Sequence, residues 1–278
     1  MALIRIQYLP ILEAALREDL GVGGDLTTDA IFSADETLEA AFVARSAGVV
    51  ACLPAALDVF GLLDRRVEVE MALVDGSDLS VGQTIATVHG PARAILTGER
   101  TALNLLGRMS GIATTTRRVV AAVAGTGVAV ADTRKTTPGL RLFEKHAVRM
   151  GGGVNHRFRL DDAVMIKDNH VAAAGNITEA VRRVRSRVGH TVKIEVEVDT
   201  LEQVAELMAV PVDIVLLDNM DVETLRRAVE MIDGRMVTEA SGGITLETAR
   251  EIAETGVDVL SLGWLTHSAP NLDIGLDV

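Results

Sequence analysis

The chain has 278 residues and a formal net charge of −12, with 27 Lys and Arg against 39 Asp and Glu. That balance disfavours nucleic acid as the main partner, because a phosphate backbone is held by Lys and Arg clustered on an open face; a small anion in a local basic pocket stays compatible. Hydrophobic residues make up 48% and aromatics only 3%, so branched aliphatics must fill a sizeable core, as in β/α packing.

Cys52 is the single cysteine, which rules out an intrachain disulfide and a cysteine metal cluster. Near the N-terminus Gln7, Pro10 and Glu13 break any apolar run, so no signal peptide is expected. No uncharged apolar stretch reaches the roughly 18 residues of a membrane span. A soluble cytoplasmic protein is the expectation.

The pattern predicts a helix over 8–20, followed by the turn Gly21-Val22-Gly23-Gly24-Asp25. Short alternating runs at 38–44, 66–71 and 84–88, separated by glycines, read as antiparallel strands. Residues 54–63 read as a helix between them. Pro91 opens a long helical region to about 124, with interruptions expected at Gly107 and Gly111.

From 128 onward the rhythm is strand, loop, helix. Apolar runs begin near Val128, Ala163, Val192, Val212, Met236 and Val257. Thr200 with Gln203 forms a capping-box pattern, and Asp221 an N-cap. Six strands in βα units predict parallel strands with right-handed crossovers, hence a closed or nearly closed β/α barrel. An open doubly wound sheet has the same rhythm.

Barrel chemistry sits at the C-terminal ends of strands, and here the apolar runs end in polar or glycine signals. Asp132-Thr133-Arg134-Lys135, Lys167-Asp168, Asp218-Asn219, Ser241-Gly242-Gly243 and Gly263 all follow such runs. In Lys193-Ile194-Glu195-Val196-Glu197-Val198-Asp199 the four charged residues share one strand face. That face is expected to point into the barrel, either as an ion-pair network with Lys193 or, through Glu197 and Asp218, toward a substrate-bound Mg²⁺. Ser241-Gly242-Gly243 and Gly263 fit a phosphate site on the loops after the last two strands. Asn155-His156-Arg157 follows a triple glycine: Arg157 offers a fork for carboxylate or phosphate, and His156 either donates to a substrate anion or caps a carbonyl. His146, His170, His267 and the pair Asp161-Asp162 read as structural or loop residues, and no His/His/acid spacing marks a transition-metal site.

Seven segments carry a resemblance that runs in order along nearly the whole chain. They are Glu18–Thr28, Gly98–Asn104, Asp132–Gly139, Gly151–Arg157, Ile166–His170, Glu195–Asp199 and Gly263–Ser268. The chain resembles the nicotinate-nucleotide pyrophosphorylase (carboxylating), or quinolinate phosphoribosyltransferase, family. It departs at Thr137, where some members have Leu, and at His146, where the family often has Tyr.

The resemblance implies an α/β fold: an N-terminal α/β sandwich over 1–107, joined by 271–278, and an irregular six-stranded α/β barrel over 108–270. It implies transfer of phosphoribose from 5-phosphoribosyl 1-diphosphate to quinolinate with decarboxylation, giving nicotinate mononucleotide, with Mg²⁺ as cofactor. It also implies a homodimer or higher homo-oligomer with shared active sites, in which Arg100 reaches across. Thr133, Arg134, Lys135, His156, Arg157 and Lys167 are then expected in the anion pocket, Lys135 with a catalytic role. Catalytic Glu197 and Asp218 are expected near ribose and metal, and Ser241, Gly242, Gly243 and Gly263 at the 5-phosphate. Two alternatives share the barrel motifs: a pyrophosphorylase-like paralogue associated with molybdenum transport, and a phosphate-binding barrel without turnover.

Overall fold

A computed structural model of the protein describes residues 3–278. Its elements begin with helices α1 (Arg5–Leu20) and α2 (Leu26–Ile31), strands β1 (Thr37–Ala44) and β2 (Gly48–Val49), and helix α3 (Leu53–Leu63). Strands β3 (Glu68–Met71), β4 (Asp78–Leu79) and β5 (Thr84–Pro91) lead into α4 (Ala92–Ala122). Then come β6 (Ala129–Ala131), α5 (Arg141–Met150), β7 (Val164–Ile166), α6 (Asp168–Ala174), α7 (Ile177–Arg185), β8 (Ile194–Val198) and α8 (Leu201–Leu207). The chain closes through β9 (Ile214–Asp218), α9 (Val222–Ile232), β10 (Val237–Ser241), α10 (Ala249–Ala253), β11 (Val259–Ser261), α11 (Trp264–His267) and β12 (Ile274–Asp277).

These elements form two compact units. The first takes the chain up to residue 117, then 136–152 and 264–278; the second takes 118–135 and 153–263. The boundary expected at 107/108 therefore falls inside α4, and residues 108–117, 136–152 and 264–270 pack with the first unit. Of these returning stretches, α5 buries Glu144, Lys145 and His146 beside Phe143, Ala147 and Val148, whereas α7 and α9 bury only apolar residues.

In the first unit an antiparallel sheet has the order β12-β1-β5-β3, and β2 pairs with β4. Alternation along β1 buries Ala40, Phe42 and Ala44, and the Phe42 ring meets Phe60 of α3 edge-on at 5.9 Å. Pro54 in the first turn of α3 suits the helix start, where its missing N–H leaves no bond unmade. The turn after Gly24 continues into α2 because the Asp25 carboxylate accepts the Thr28 N–H at 3.0 Å.

Helix α4 is continuous over 31 residues, so Gly107 and Gly111 do not interrupt it as expected. They serve close approach instead. A Cβ on Gly111 would lie 1.9 Å from the Pro270 carbonyl oxygen, and one on Gly107 would lie 2.9 Å from that of Leu272. The returning segment 270–272 thus lies against the helix backbone, and the Leu272 N–H donates to the Gly107 carbonyl at 2.9 Å.

In the second unit six parallel strands follow the order β6-β11-β10-β9-β8-β7, with β6 and β7 at the two ends. This is the expected irregular barrel, open between its first two strands; Val154 adds a parallel bridge to Ala131. The outward face of β8 buries Ile194, Val196 and Val198 completely or nearly so, each contributing about 1.5–3 kcal/mol. The start signals of two helices are present as read. Thr200 and Gln203 form the capping box of α8, and the Asp221 carboxylate accepts the Thr224 N–H at 2.8 Å to start α9.

Candidate active site

The strand tips of the second unit enclose a cavity of about 380 Å³ lined by Thr133, Arg134, Lys135, His156, Arg157, Met165, Lys167, Glu197, Leu216, Asp218, Glu239, Ser241 and Ser261. Every strand of the sheet leads into it. Parallel pairing sets Ser241 beside Asp218 and Glu197 beside Leu216, which in turn pairs with Glu239. Alternation then turns Glu195 and Glu197 away from the outer helices.

Four cations, Arg134, Lys135, Arg157 and Lys167, share this one cavity. The Arg157 guanidinium donates to the Ala163 carbonyl at 2.8 Å. Burial, and then the charge of Arg134, pull its pKa down from the usual arginine value, against the opposing pull of Glu195 and Asp162. Like charges so placed are relieved by a bound anion. Lys167 pairs with Glu197, at the tip of β8. Lys193, on the same strand face, does not join such a network: it pairs with Asp213 at 2.9 Å, because the strand start lies away from the cavity end.

The loop after β6 is fixed from beneath. Fully buried Asp132 accepts the His156 N–H at 3.0 Å and the Asn155 side-chain amide. His156 lies on the cavity wall, and its ring is oriented by protein contacts. Its Nδ1 accepts the Arg157 N–H at 2.7 Å, and its Nε2 faces Glu195 at 3.0 Å and Glu239 at 3.5 Å. The three donor atoms lie close enough together to hold a metal ion. Burial, then the charge of Glu195, push the Glu239 carboxyl up to about 7, with Asp132 adding and His156 and Ser261 opposing. Glu239 was not among the expected site residues, although its place two residues before Ser241 on β10 puts both on one strand face. Asp132 was marked by its place at the end of an apolar run, whereas Ser261 carried no comparable signal.

Gly242 has φ +87°, and a Cβ there would lie 2.2 Å from the Asn219 side-chain oxygen. Only glycine fits both the left-handed backbone and the close approach of the loop after β9. Asn219, itself at φ +54°, donates its N–H to the Ser241 carbonyl at 2.9 Å. Gly242, Gly243 and Gly263 continue the loops after β10 and β11 but are not part of the cavity wall. Arg100 lies in the first unit, along a second cleft with Glu18, Asp19, Asn104 and Arg108. Three other histidines have protein partners of their own. His146 meets Asp75 at 2.7 Å, His170 Nδ1 accepts the Lys167 N–H at 2.9 Å, and His267 contacts Ser268. Asp162 accepts the Phe158 N–H at 2.6 Å.

A parallel α/β barrel whose strand tips gather cations, carboxylates and a glycine loop defines a protein built to handle small anions, phosphates among them. The chain belongs to the quinolinate phosphoribosyl transferase family: residues 25–110 match its N-terminal domain and residues 112–277 its C-terminal domain. It is 47% identical, over 98% of its length and 94% of the relative's, to a probable nicotinate-nucleotide pyrophosphorylase [carboxylating] of Bacillus subtilis. It is likewise 47% identical to the nicotinate-nucleotide pyrophosphorylase [carboxylating] of Mycobacterium leprae, covering 96% of this chain and 95% of that one. The crystal structure of NadC from Streptococcus pyogenes superposes with a TM-score of 0.96 at 42% identity, covering 100% of this chain and 98% of that one.

Proposed function

We propose that this chain transfers phosphoribose from 5-phosphoribosyl 1-diphosphate to the ring nitrogen of quinolinate, releasing pyrophosphate and CO2 and forming nicotinate mononucleotide. The observation that carries the reading is the gathering of Arg134, Lys135, Arg157 and Lys167 on one cavity in a chain of net charge −12. The names of its relatives agree with it.

Quinolinate brings two carboxylates, and the sugar donor several phosphate charges. Arg134, Lys135 and Arg157 offset that repulsion and orient the diacid so that its ring nitrogen meets the ribose C1. The loop of Ser241, Gly242 and Gly243, with Gly263, receives the 5-phosphate through backbone N–H groups. As pyrophosphate departs, C1 gains positive charge, which Glu197 or Asp218 stabilises electrostatically. Once ribosylated, the ring nitrogen is cationic and stabilises the electron pair left on the neighbouring ring carbon as its carboxylate departs as CO2; that carbon then takes a proton from solvent to give nicotinate mononucleotide. No protein nucleophile is required.

Glu197 and Asp218 are oxygen donors at neighbouring strand ends on the cavity wall, a donor set suited to Mg²⁺ shared with substrate oxygens. When bound there, Mg²⁺ supplies charge stabilisation for the leaving pyrophosphate. The same reading includes at least a homodimer, in which Arg100 completes the partner's site, and a cytoplasmic setting. No helix among the described residues is long and apolar enough to cross a membrane.

The test is incubation with quinolinate, 5-phosphoribosyl 1-diphosphate and Mg²⁺. CO2 and nicotinate mononucleotide in equal amounts support the reading. Turnover of nicotinate without CO2 release would assign a different phosphoribosyl transfer.

A further inference from the structure

The strands that carry the cations are not joined all the way round. β6 and β7 are the two ends of the sheet, so a seam in the barrel wall runs between them. Arg134 and Lys135 follow β6 on one side of it, and Lys167 follows β7 on the other. Arg157 comes from the segment in between, and its guanidinium donates to the Ala163 carbonyl at 2.8 Å, just before β7. A diacid is gripped at both carboxylates only if the cations flanking the seam keep their spacing.

Main-chain pairing spans only the first step of the β6 side. The Val154 N–H donates to the Val130 carbonyl at 2.8 Å, and the Asp132 N–H to the Val154 carbonyl at 3.3 Å. These two bonds make the parallel bridge between Ala131 and Val154. A parallel ladder would continue from the His156 N–H to the main-chain carbonyl of Asp132. The Asp132 side chain takes that bond instead: its Oδ1 accepts the His156 N–H at 3.0 Å. Its Oδ2 accepts the side-chain amide of Asn155 at 2.5 Å.

Asp132 is fully buried. A buried carboxylate holds its donors firmly, because losing one leaves it under-compensated in a medium that does not solvate it. One side chain thus ties the loop of Arg134 and Lys135 to the segment of His156 and Arg157. The groups assigned to the sugar donor stand elsewhere. Glu197, Asp218, Ser241 and Gly263 lie on or just after β8, β9, β10 and β11, four strands paired in an unbroken row.

We infer that Asp132 is a positioning residue for the diacid: from behind the cavity wall its carboxylate clamps the seam and sets the distance of Arg134 and Lys135 from Arg157. This rests on the reading that the cavity binds quinolinate. Loss of the clamp loosens the cations across the seam and leaves the sugar-donor side in place. Quinolinate binding then falls, and the KM for 5-phosphoribosyl 1-diphosphate does not follow.

The bond between Asp132 and Asn155 can be reversed, which separates the clamp from mere bulk. Asp132→Asn keeps an acceptor for the His156 N–H but sets one amide against another at Asn155. Asn155→Asp sets two carboxylates against each other. Together the two changes restore an N–H···O bond between the same positions with donor and acceptor exchanged. Asn155→Ala removes half of the clamp and leaves Asp132 bonded to the His156 N–H.

The experiment measures Kd for quinolinate by calorimetry on the whole protein, and KM for 5-phosphoribosyl 1-diphosphate at saturating quinolinate with Mg²⁺. In Asp132→Asn the Kd for quinolinate should rise about 10- to 10²-fold, with the KM for the sugar donor near wild type. The reciprocal double variant should recover most of that loss, a coupling that a double-mutant cycle reads directly. Asn155→Ala should raise the Kd about tenfold, and it decides the matter where Asp132→Asn fails to fold. Unchanged quinolinate binding in Asp132→Asn or in Asn155→Ala overturns the inference while leaving the functional reading intact. So does an equal loss for both substrates, and so does a double variant no better than its single parents. Failure of wild type to bind quinolinate removes the functional reading itself, and this inference with it.

Discussion

Replacing Gly242 by alanine tests how the loop after β10 is built. Its backbone has φ +87°, a left-handed conformation that costs an L-residue with a Cβ about 1–2 kcal/mol. The added Cβ would also lie 2.2 Å from Asn219 Oδ1, 2.6 Å from its Cγ and 2.9 Å from its backbone nitrogen. The side-chain oxygen can rotate away, but the nitrogen is fixed by its bond to the Ser241 carbonyl. Moving it loses about 1 kcal/mol of hydrogen bonding. Gly242→Ala should therefore destabilise the protein by about 2–3 kcal/mol, lowering the thermal midpoint by roughly 4–12 °C at 2–4 °C per kcal/mol. Because that loop is assigned to the 5-phosphate, the KM for 5-phosphoribosyl 1-diphosphate should rise at least tenfold, with the KM for quinolinate changed much less. Thermal melting and steady-state kinetics read the two effects. A variant that melts with wild type and keeps its KM would refute both the strain argument and the assignment of the loop.

Lys135→Ala should lower kcat/KM for quinolinate by about 10- to 10²-fold, from the roughly 1.5–3 kcal/mol of a hydrogen bond between charged groups; wild-type kcat/KM would remove Lys135 from the diacid site. Gly111→Ala places a Cβ 1.9 Å from the Pro270 carbonyl oxygen, so it should lower the melting midpoint by several degrees through about 1–3 kcal/mol of overpacking while leaving both KM values near wild type. A shift in KM without a shift in melting would contradict that. If the proposed dimer forms, Arg100→Ala and Asp218→Ala, each inactive alone, should recover about a quarter of wild-type activity when co-expressed, because about half of the dimers are mixed and each of those has one intact site out of two. No recovery in a verified mixed dimer would place Arg100 outside the partner's site.

Much of the barrel was legible because its signals are local. Most strands of the second unit come from apolar runs that end in or lead straight into a polar residue, and the caps at Thr200 and Asp221 act within one helical turn. What was not legible depends on residues far apart in sequence. Gly107 and Gly111 look like helix breakers until the segment 270–272 is seen against them. Residues 136–152 and 264–270 join the first unit through packing that no periodicity announces, whereas 271–278 was expected there from the resemblance.

The site divides in the same way. The cations at 134, 135, 157 and 167 stand out as charges at the ends of apolar runs, and the structure collects them on one wall. The partnership of His156 with Glu195 and Glu239 spans three separate stretches of chain. A histidine beside an arginine in a loop reads as another anion ligand. Only in three dimensions does its ring face two acids.

The strand order of the first unit also bears on how the protein is made. β1 precedes every strand of the barrel in the sequence, yet one of its two neighbours, β12, follows all of them. While the rest of the polypeptide is translated, one rim of β1 has unsatisfied amides and carbonyls, a surface prone to mispairing between nascent chains. The sheet of the first unit is thus completed only after the barrel has been made, and a chain cut before residue 274 should mature poorly even though every residue of the barrel is present.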